Sequence, residues 1–174
     1  MAQGGSGAAT AYLALGSNLG DPEKYLVNAL RSIALIPGTL VIRKSSLYRS
    51  PAWDAASAQP DYLNAVIAVT TNLAPSDLWN ATCRIEQAQG RTRNGERNAA
   101  RTLDIDLLLY DQLAMHDDQL TLPHPRMHLR AFVLRPLLQI APDIVIPGHG
   151  PAVAQLRRLT NQVATRWDGA SEWN

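Results

Sequence analysis

Residues 91–109 read Arg-Thr-Arg-Asn-Gly-Glu-Arg-Asn-Ala-Ala-Arg-Thr-Leu-Asp-Ile-Asp-Leu-Leu-Leu, and a chain carrying this stretch has few ways to fold around it. The Leu107-Leu108-Leu109 end is apolar and reads as a strand, which puts Asp104 and Asp106 at the strand's mouth. Alternate residues of a strand project to one face. The two carboxylates therefore point together, while Ile105 points into the opposite layer. Converging carboxylates repel unless a cation lies between them or one of them is protonated. A hard divalent ion with oxygen ligands, Mg2+ above all, is the usual answer. Upstream, Arg91, Arg93, Arg97 and Arg101 crowd into eleven residues. Carboxylate-held metal beside guanidinium forks suits a polyphosphate. Each half also has a plain alternative, since a D-x-D on a strand is a weak motif alone and an arginine-rich loop is often a solvated face. Their order along the chain favours a site.

Composition narrows the setting. The 174 residues suit one domain with a sizeable core, and 46% hydrophobic content argues against disorder. A net charge of +1 is too small for a general nucleic-acid binder, so no nucleic-acid partner is expected. The lone Cys83 allows no internal disulfide, and no apolar run is long enough for a transmembrane helix. A cytoplasmic protein with no membrane partner follows, and a monomer is expected because no apolar stripe demands a second copy. Residues 1–10, rich in Gly, Ala and Ser, read as a disordered extension preceding a single domain over 11–174, with a loosely held polar tail after about residue 160.

Within that domain the apolar periodicities alternate in a definite order. Residues 11–16 form a strand, and Asp21 and Pro22 start a helix whose inward stripe is Leu26, Leu30, Ile33 and Ala34. Gly38 stops it, and residues 39–48 form a second strand. Residues 49–61 lose all periodicity, as a functional lid would. The clearest strand, 62–71, comes next; then a helix opens at Pro75 with Leu78, Ala81, Thr82, Ile85 and Ala88 inward and closes at Gly90. The aspartate strand spans about 102–110. Strand, helix, strand, strand, helix, strand is the split-βαβ signature, so the fold class is α+β, ferredoxin-like: an antiparallel sheet with both of those helices on one face. Small C-terminal additions follow: a hairpin near 113–122, a helix over 132–140 containing Pro136, a loop at 147–151 and a short helix over 152–159.

Outside the aspartate strand, few side chains carry chemistry. The histidines, 116, 124, 128 and 149, have no metal-binding spacing, so zinc is not expected. His124, near Arg126 and Arg130, is either a phosphate contact or a turn residue; His149, within Gly-His-Gly, reads as an exposed turn. No phosphate-binding glycine loop is present, so a bound nucleotide would be held by metal and arginines. Tyr62 and Asn64 share a strand face, and a ring beside an amide suits a flat polar heterocycle, with Phe132 either a second stacking ring or core.

The ordered set Ala14-Leu15-Gly16-Ser17-Asn18, Ser45-Ser46-Leu47-Tyr48-Arg49-Ser50-Pro51, Gln59-Pro60-Asp61-Tyr62-Leu63-Asn64-Ala65, Arg84-Ile85-Glu86, Gly90-Arg91-Thr92-Arg93, Arg101-Thr102-Leu103-Asp104-Ile105-Asp106 and Leu122-Pro123-His124-Pro125 with Arg130 and Phe132 resembles the 6-hydroxymethyl-7,8-dihydropterin pyrophosphokinase family. Order and spacing hold over about residues 11–160, with one short adjustment in the loop before Tyr62. The resemblance implies transfer of pyrophosphate from ATP to a pterin alcohol in folate biosynthesis, with AMP released. It implies that Asp104 and Asp106 ligate two Mg2+ ions, and that Arg91 and Arg101 neutralise the transferring group. It makes Glu86, Arg93, Thr121, His124 and Arg130 ATP contacts, and Gly16, Ser50, Pro51, Ala52, Tyr62, Asn64 and Phe132 the pterin slot. Asn98, Cys83, Pro125 and Ala52 depart from the family pattern, which points to altered affinity or loop kinetics and not to another reaction. Two other readings stay open: a D-x-D nucleotidyltransferase releasing pyrophosphate, and a ferredoxin-like binding module without activity.

Overall fold

A computed structural model describes residues 7–53, 57–91, 100–169 and 172–174. The chain runs through β1 (Ala9–Ser17), α1 (Pro22–Ala34), β2 (Thr39–Lys44), β3 (Tyr48–Ser50), β4 (Tyr62–Thr71), α2 (Pro75–Ala88) and β5 (Asp104–Tyr110). Then follow β6 (Met115–His116), β7 (Thr121–Leu122), a 3-10 turn (Met127–Leu129), α3 (Ala131–Ile140), β8 (Val145–Ile146), β9 (Gly150–Pro151), α4 (Ala152–Leu156) and β10 (Thr165–Arg166). The strand–helix–strand–strand–helix–strand order expected from periodicity is present. α1 starts where Asp21 accepts from the Lys24 amide at 3.2 Å and Pro22 supplies a preset φ. Gly90 closes α2 at φ +80, a conformation that favours glycine.

All pairings in the main sheet are antiparallel, in the order β10-β3-β4-β1-β5, with β2 also paired to β4. One face carries Leu13, Leu15, Ala65, Ile67, Ile105 and Leu107 into a core shared with Leu26, Ile33 and Leu78 of α1 and α2. The other face sends Val66, Ala68 and Leu109 against Val133, Leu134 and Leu137 of α3 and Ala152 of α4. No helix among the described residues is long and apolar enough to cross a membrane.

Several expectations need correction. β1 begins at Ala9, which pairs with Thr71, so residues 9 and 10 belong to the sheet and not to a loose extension. The strand expected over 39–48 splits, because Ser45 leaves the ladder. The Ser45 hydroxyl, instead of a carbonyl, accepts from the Val66 amide at 3.0 Å. Ala34 and Ala88 are exposed, while Val27, Ala29 and Glu86 are buried on the helices instead. The expected loop at 147–151 contributes a strand pair, β8 with β9, and α4 stops at Leu156.

The largest departure is the C-terminal segment, expected to be loose. Trp173 is only 1% exposed and packs into the α1/α2-side core. Its indole Nε1 donates to the Ser45 carbonyl at 2.7 Å, and Lys44 Nζ donates to its backbone oxygen. β10 pairs with β3, and the Trp167 amide donates to the Leu47 carbonyl at 2.9 Å. Two isolated tryptophans, Trp167 and Trp173, in a polar tail leave no periodic signal, so pattern reading missed them.

Candidate active site

Strand parity builds this site. Gly16 of β1 lies in register between Asn64 of β4 and Asp104 of β5, and Ala14 lies opposite Asp106. Ser50 of β3 stands opposite Tyr62. Paired residues of neighbouring strands share a face, so Gly16, Tyr62, Asn64, Asp104, Asp106 and Ser50 all open toward the α3 side. A cavity of about 220 Å3 lies there, lined also by Pro51, Ala52, Arg101, Arg126, Arg130 and Phe132. Gly16 lies in close approach: a Cβ at this position would stand a tight 3.3 Å from Asn64 Oδ1 and an ordinary 3.7 Å from Tyr62 Cδ1. The expected pterin-slot residues are therefore all brought together.

At the charged end, Asp104 is gripped from two sides. Arg91 lies 2.8 Å from its Oδ1, and Arg101 lies 2.9 Å from its Oδ2. Asp106 Oδ2 faces Arg130 at 3.5 Å and His124 Nε2 at 3.6 Å. Burial, and then the charge of Asp104, push the Asp106 carboxyl up to about 7, against the opposing pull of Arg130. His124 is pushed down to about 4 by burial and then by Arg130 and Arg126, so it faces Asp106 as a neutral imidazole near pH 7. Its Nδ1 accepts from the Arg126 amide at 3.1 Å.

Glu86 sits behind this row and is not among the residues lining the cavity. It is 2% exposed on α2, accepts from the Ile105 amide and ion-pairs with Arg91. Burial raises its carboxyl to about 7, opposed by the Ile105 amide and the Arg91 charge. Among the described residues, Glu86 braces Arg91 and the start of β5, and Arg91 in turn reaches Asp104. Thr121 also stands away from the cavity lining: its hydroxyl is 2.7 Å from His116 Nδ1 in the β6–β7 hairpin. Arg93 and Asn98 lie outside the described residues, as does part of each loop flanking the site.

At the other end, Tyr62 and Phe132 line the same cavity, and the Arg130 guanidinium stands 5.6 Å from the Phe132 ring centroid. Burial raises the Tyr62 hydroxyl pKa. Asn64 is 5% exposed, and its Nδ2 donates to Ser50 Oγ at 2.9 Å, which fixes the amide's orientation. A ring, an oriented amide and a second ring thus stand beside paired acids and three arginines.

Sequence reasoning gave no role to Asn18, Arg126, Trp53 or Leu129. Asn18 is 2% exposed and ties both flanking loops together. Its Nδ2 donates to Gln59 Oε1 and the Pro60 carbonyl, each at 3.1 Å, and its Oδ1 accepts from the Arg101 amide at 2.9 Å. Trp53, Arg126 and Leu129 join the cavity wall. Arg126 had a legible signal, its closeness in sequence to His124 and Arg130. The others depend on loop conformation.

The sequence model of the 7,8-dihydro-6-hydroxymethylpterin-pyrophosphokinase (HPPK) family matches residues 12–142. A 2-amino-4-hydroxy-6-hydroxymethyldihydropteridine pyrophosphokinase of Haemophilus influenzae is 45% identical over 138 residues, covering 79% of this chain and 85% of that protein. One of Bacillus subtilis is 40% identical over 135 residues, covering 77% and 79%. Among solved structures, the Plasmodium falciparum HPPK-DHPS A437G chain with STZ-DHP superposes with a TM-score of 0.68 at 12% identity. That match covers 88% of this chain and 46% of the other, and at such low identity it speaks for the fold alone.

Proposed function

The chain belongs to the 7,8-dihydro-6-hydroxymethylpterin-pyrophosphokinase family, and from that premise we infer that it transfers a diphosphoryl group from ATP to the hydroxymethyl group of 6-hydroxymethyl-7,8-dihydropterin, releasing AMP, in folate synthesis. The family removes the nucleotidyltransferase and the inactive binding module as alternatives. One observation carries the assignment of the site: two carboxylates on adjacent same-face positions open into the cavity that Tyr62, Asn64 and Phe132 line.

The reaction is an in-line displacement, in which the hydroxymethyl oxygen attacks the β-phosphorus and AMP leaves. Little covalent work falls to the protein in such transfers, so its residues position reactants and stabilise charge. Tyr62 and Phe132 sandwich the pterin, and Asn64, held by Ser50, reads its edge. Arg101 and Arg91 stand where charge on the transferring group needs neutralising, and Arg130 and His124 take the nucleotide side. Glu86 keeps Arg91 extended toward Asp104. Asp104 and Asp106 fit Mg2+: both offer hard oxygen ligands, and the upward push of Asp104 on the Asp106 carboxyl is the repulsion a dication relieves. When bound, two Mg2+ ions would screen the phosphates and acidify the attacking hydroxyl. The same reading takes the enzyme as a cytoplasmic monomer with ATP and the pterin alcohol as its small-molecule partners.

Phosphorus NMR of protein mixed with ATP, Mg2+ and the hydroxymethyl dihydropterin tests the inference. AMP and a pterin diphosphate are expected. ADP, or free pyrophosphate with an adenylylated pterin, would sink it, and equal rates in EDTA would remove the metal.

A further inference from the structure

Among the described residues, the cavity wall holds one more cation, three arginines against two aspartates, than its acids can pair. Arg101 is spent on Asp104 at 2.9 Å, and Arg130 faces Asp106 at 3.5 Å. Arg126 lines the same cavity, partly buried at the start of the 3-10 turn that leads into α3. It forms no ion pair with a carboxylate among the described residues. Among the described residues its hydrogen bonds are made by its backbone, the amide donating to His124 Nδ1 and the carbonyl accepting from the Leu129 amide, which pins the residue beside the charged end without engaging the guanidinium. Arg126 and Arg130 line the same cavity, and like charges sharing a partly desolvated wall disfavour each other, so an anion lodged between them relieves the repulsion.

We propose that Arg126 is a further phosphate-binding residue of this site, taking a phosphoryl oxygen of ATP alongside Arg130. The proposal rests on the diphosphokinase reading and adds to it a nucleotide contact. The ligand must be anionic and must reach the cavity's charged end, which excludes the neutral pterin. Among the reactants and products, the ATP phosphates and the diphosphate of the product share that chemistry.

Calorimetric titration separates these sources. Wild type, Arg126→Met and Arg126→Lys are each titrated with α,β-methylene-ATP plus Mg2+, with the hydroxymethyl pterin, and with the pterin diphosphate. Methionine keeps much of the apolar stem and removes the fork. The expected result is about a tenfold or greater loss of affinity for the ATP analogue in Arg126→Met, as for a lost hydrogen bond to a charged group. Pterin affinity and melting temperature should stay at their wild-type values, and Arg126→Lys should recover part of the loss. Unchanged affinity for the ATP analogue overturns the proposal. So does a loss confined to the pterin diphosphate, or an equal loss for all three ligands that lysine fails to rescue. Failure of the underlying reading shows elsewhere, in wild-type protein that neither binds the analogue nor releases AMP.

Discussion

Trp173 offers a severe test of the packing argument, because nothing in the pattern of the tail announces it. Truncation to alanine removes an indole that is 1% exposed and leaves a hole in the core beside Ser45. Truncations of buried aromatics cost about 3–5 kcal/mol, part transfer and part cavity. The lost Nε1 bond also leaves the Ser45 carbonyl without that partner, so the upper part of the range applies. Trp173→Phe separates the contributions: it keeps most of the apolar area and loses the indole N–H with part of the ring, for about 1–2 kcal/mol. For a chain of this size about 4 kcal/mol lowers the melting temperature by roughly 10 °C. Urea unfolding followed by far-UV circular dichroism measures both variants. The effect should also reach the cavity, because Ser45 precedes β3, which carries Ser50 to Asn64, so KM for the pterin should rise more than KM for ATP. A loss below about 1 kcal/mol in Trp173→Ala would refute the burial argument.

Four further outcomes follow from the site. Asp106→Asn should lower turnover by about a hundredfold or more, while the melting temperature holds, since the change removes a half-buried carboxyl already raised to about 7; near-wild-type turnover would remove Asp106 from the chemistry. Tyr62→Ala should weaken pterin binding at least about tenfold with ATP binding little changed, and equal losses by calorimetry would misplace the slot. Gly16→Ala places a Cβ 3.3 Å from Asn64 Oδ1; a crowding cost of about 1 kcal/mol should raise pterin KM roughly fivefold, and an unchanged KM would mean that the slot floor lies elsewhere. Glu86 and Asp106, both raised to about 7, hold protons that the unfolded chain has already lost, so the stability they contribute is lost as pH rises through 7. His124, lowered to about 4, acts in the opposite sense below about pH 6.5, but with one proton against two. The ligand-free protein should therefore be more stable at about pH 5.5 than at pH 8, by roughly 1–3 kcal/mol, and a higher urea midpoint at pH 8 would contradict the assignment.

How much of this was legible varies with the kind of signal. Strand parity put Asp104 with Asp106, and Tyr62 with Asn64, on shared faces, because a period of two needs no tertiary knowledge. The convergence of those two pairs across Gly16 needed the register β4-β1-β5, which single strands do not encode. Glu86 illustrates the opposite limit. An acid on a helix's inward stripe reads as an error in the pattern, so the stripe was drawn through Ala88 and missed it. Only the fold shows that the Ile105 amide and Arg91 wait for that carboxylate. Asn18 and Trp173 act through carbonyls far away in sequence, at Pro60 and Ser45, and no periodicity predicts such pairs.

The placement of the acids is fixed by apolar side chains packed on the sheet's opposite face. Sliding β5 by one position would turn Ile105 and Leu107 toward the cavity and drive Asp104 and Asp106 into the core beneath α1 and α2. That slip would expose two apolar side chains and bury two carboxylates, at a cost of several kcal/mol for each unpaired charge. Leu13 and Leu15 of β1, with Ala65 and Ile67 of β4, hold the same parity on the neighbouring strands. The bulge between Tyr12 and Leu13, which skips Leu108, lies beyond this segment, so the register from Gly16↔Asp104 to Ala14↔Asp106 is undisturbed. Glu86 is the buried acid admitted to the helix-side layer, and it is accepted there because an amide and an arginine meet it. The apolar pattern of one face therefore specifies the chemistry of the other, and substitutions at Ile105 or Leu107 act on the site through register before they act through stability.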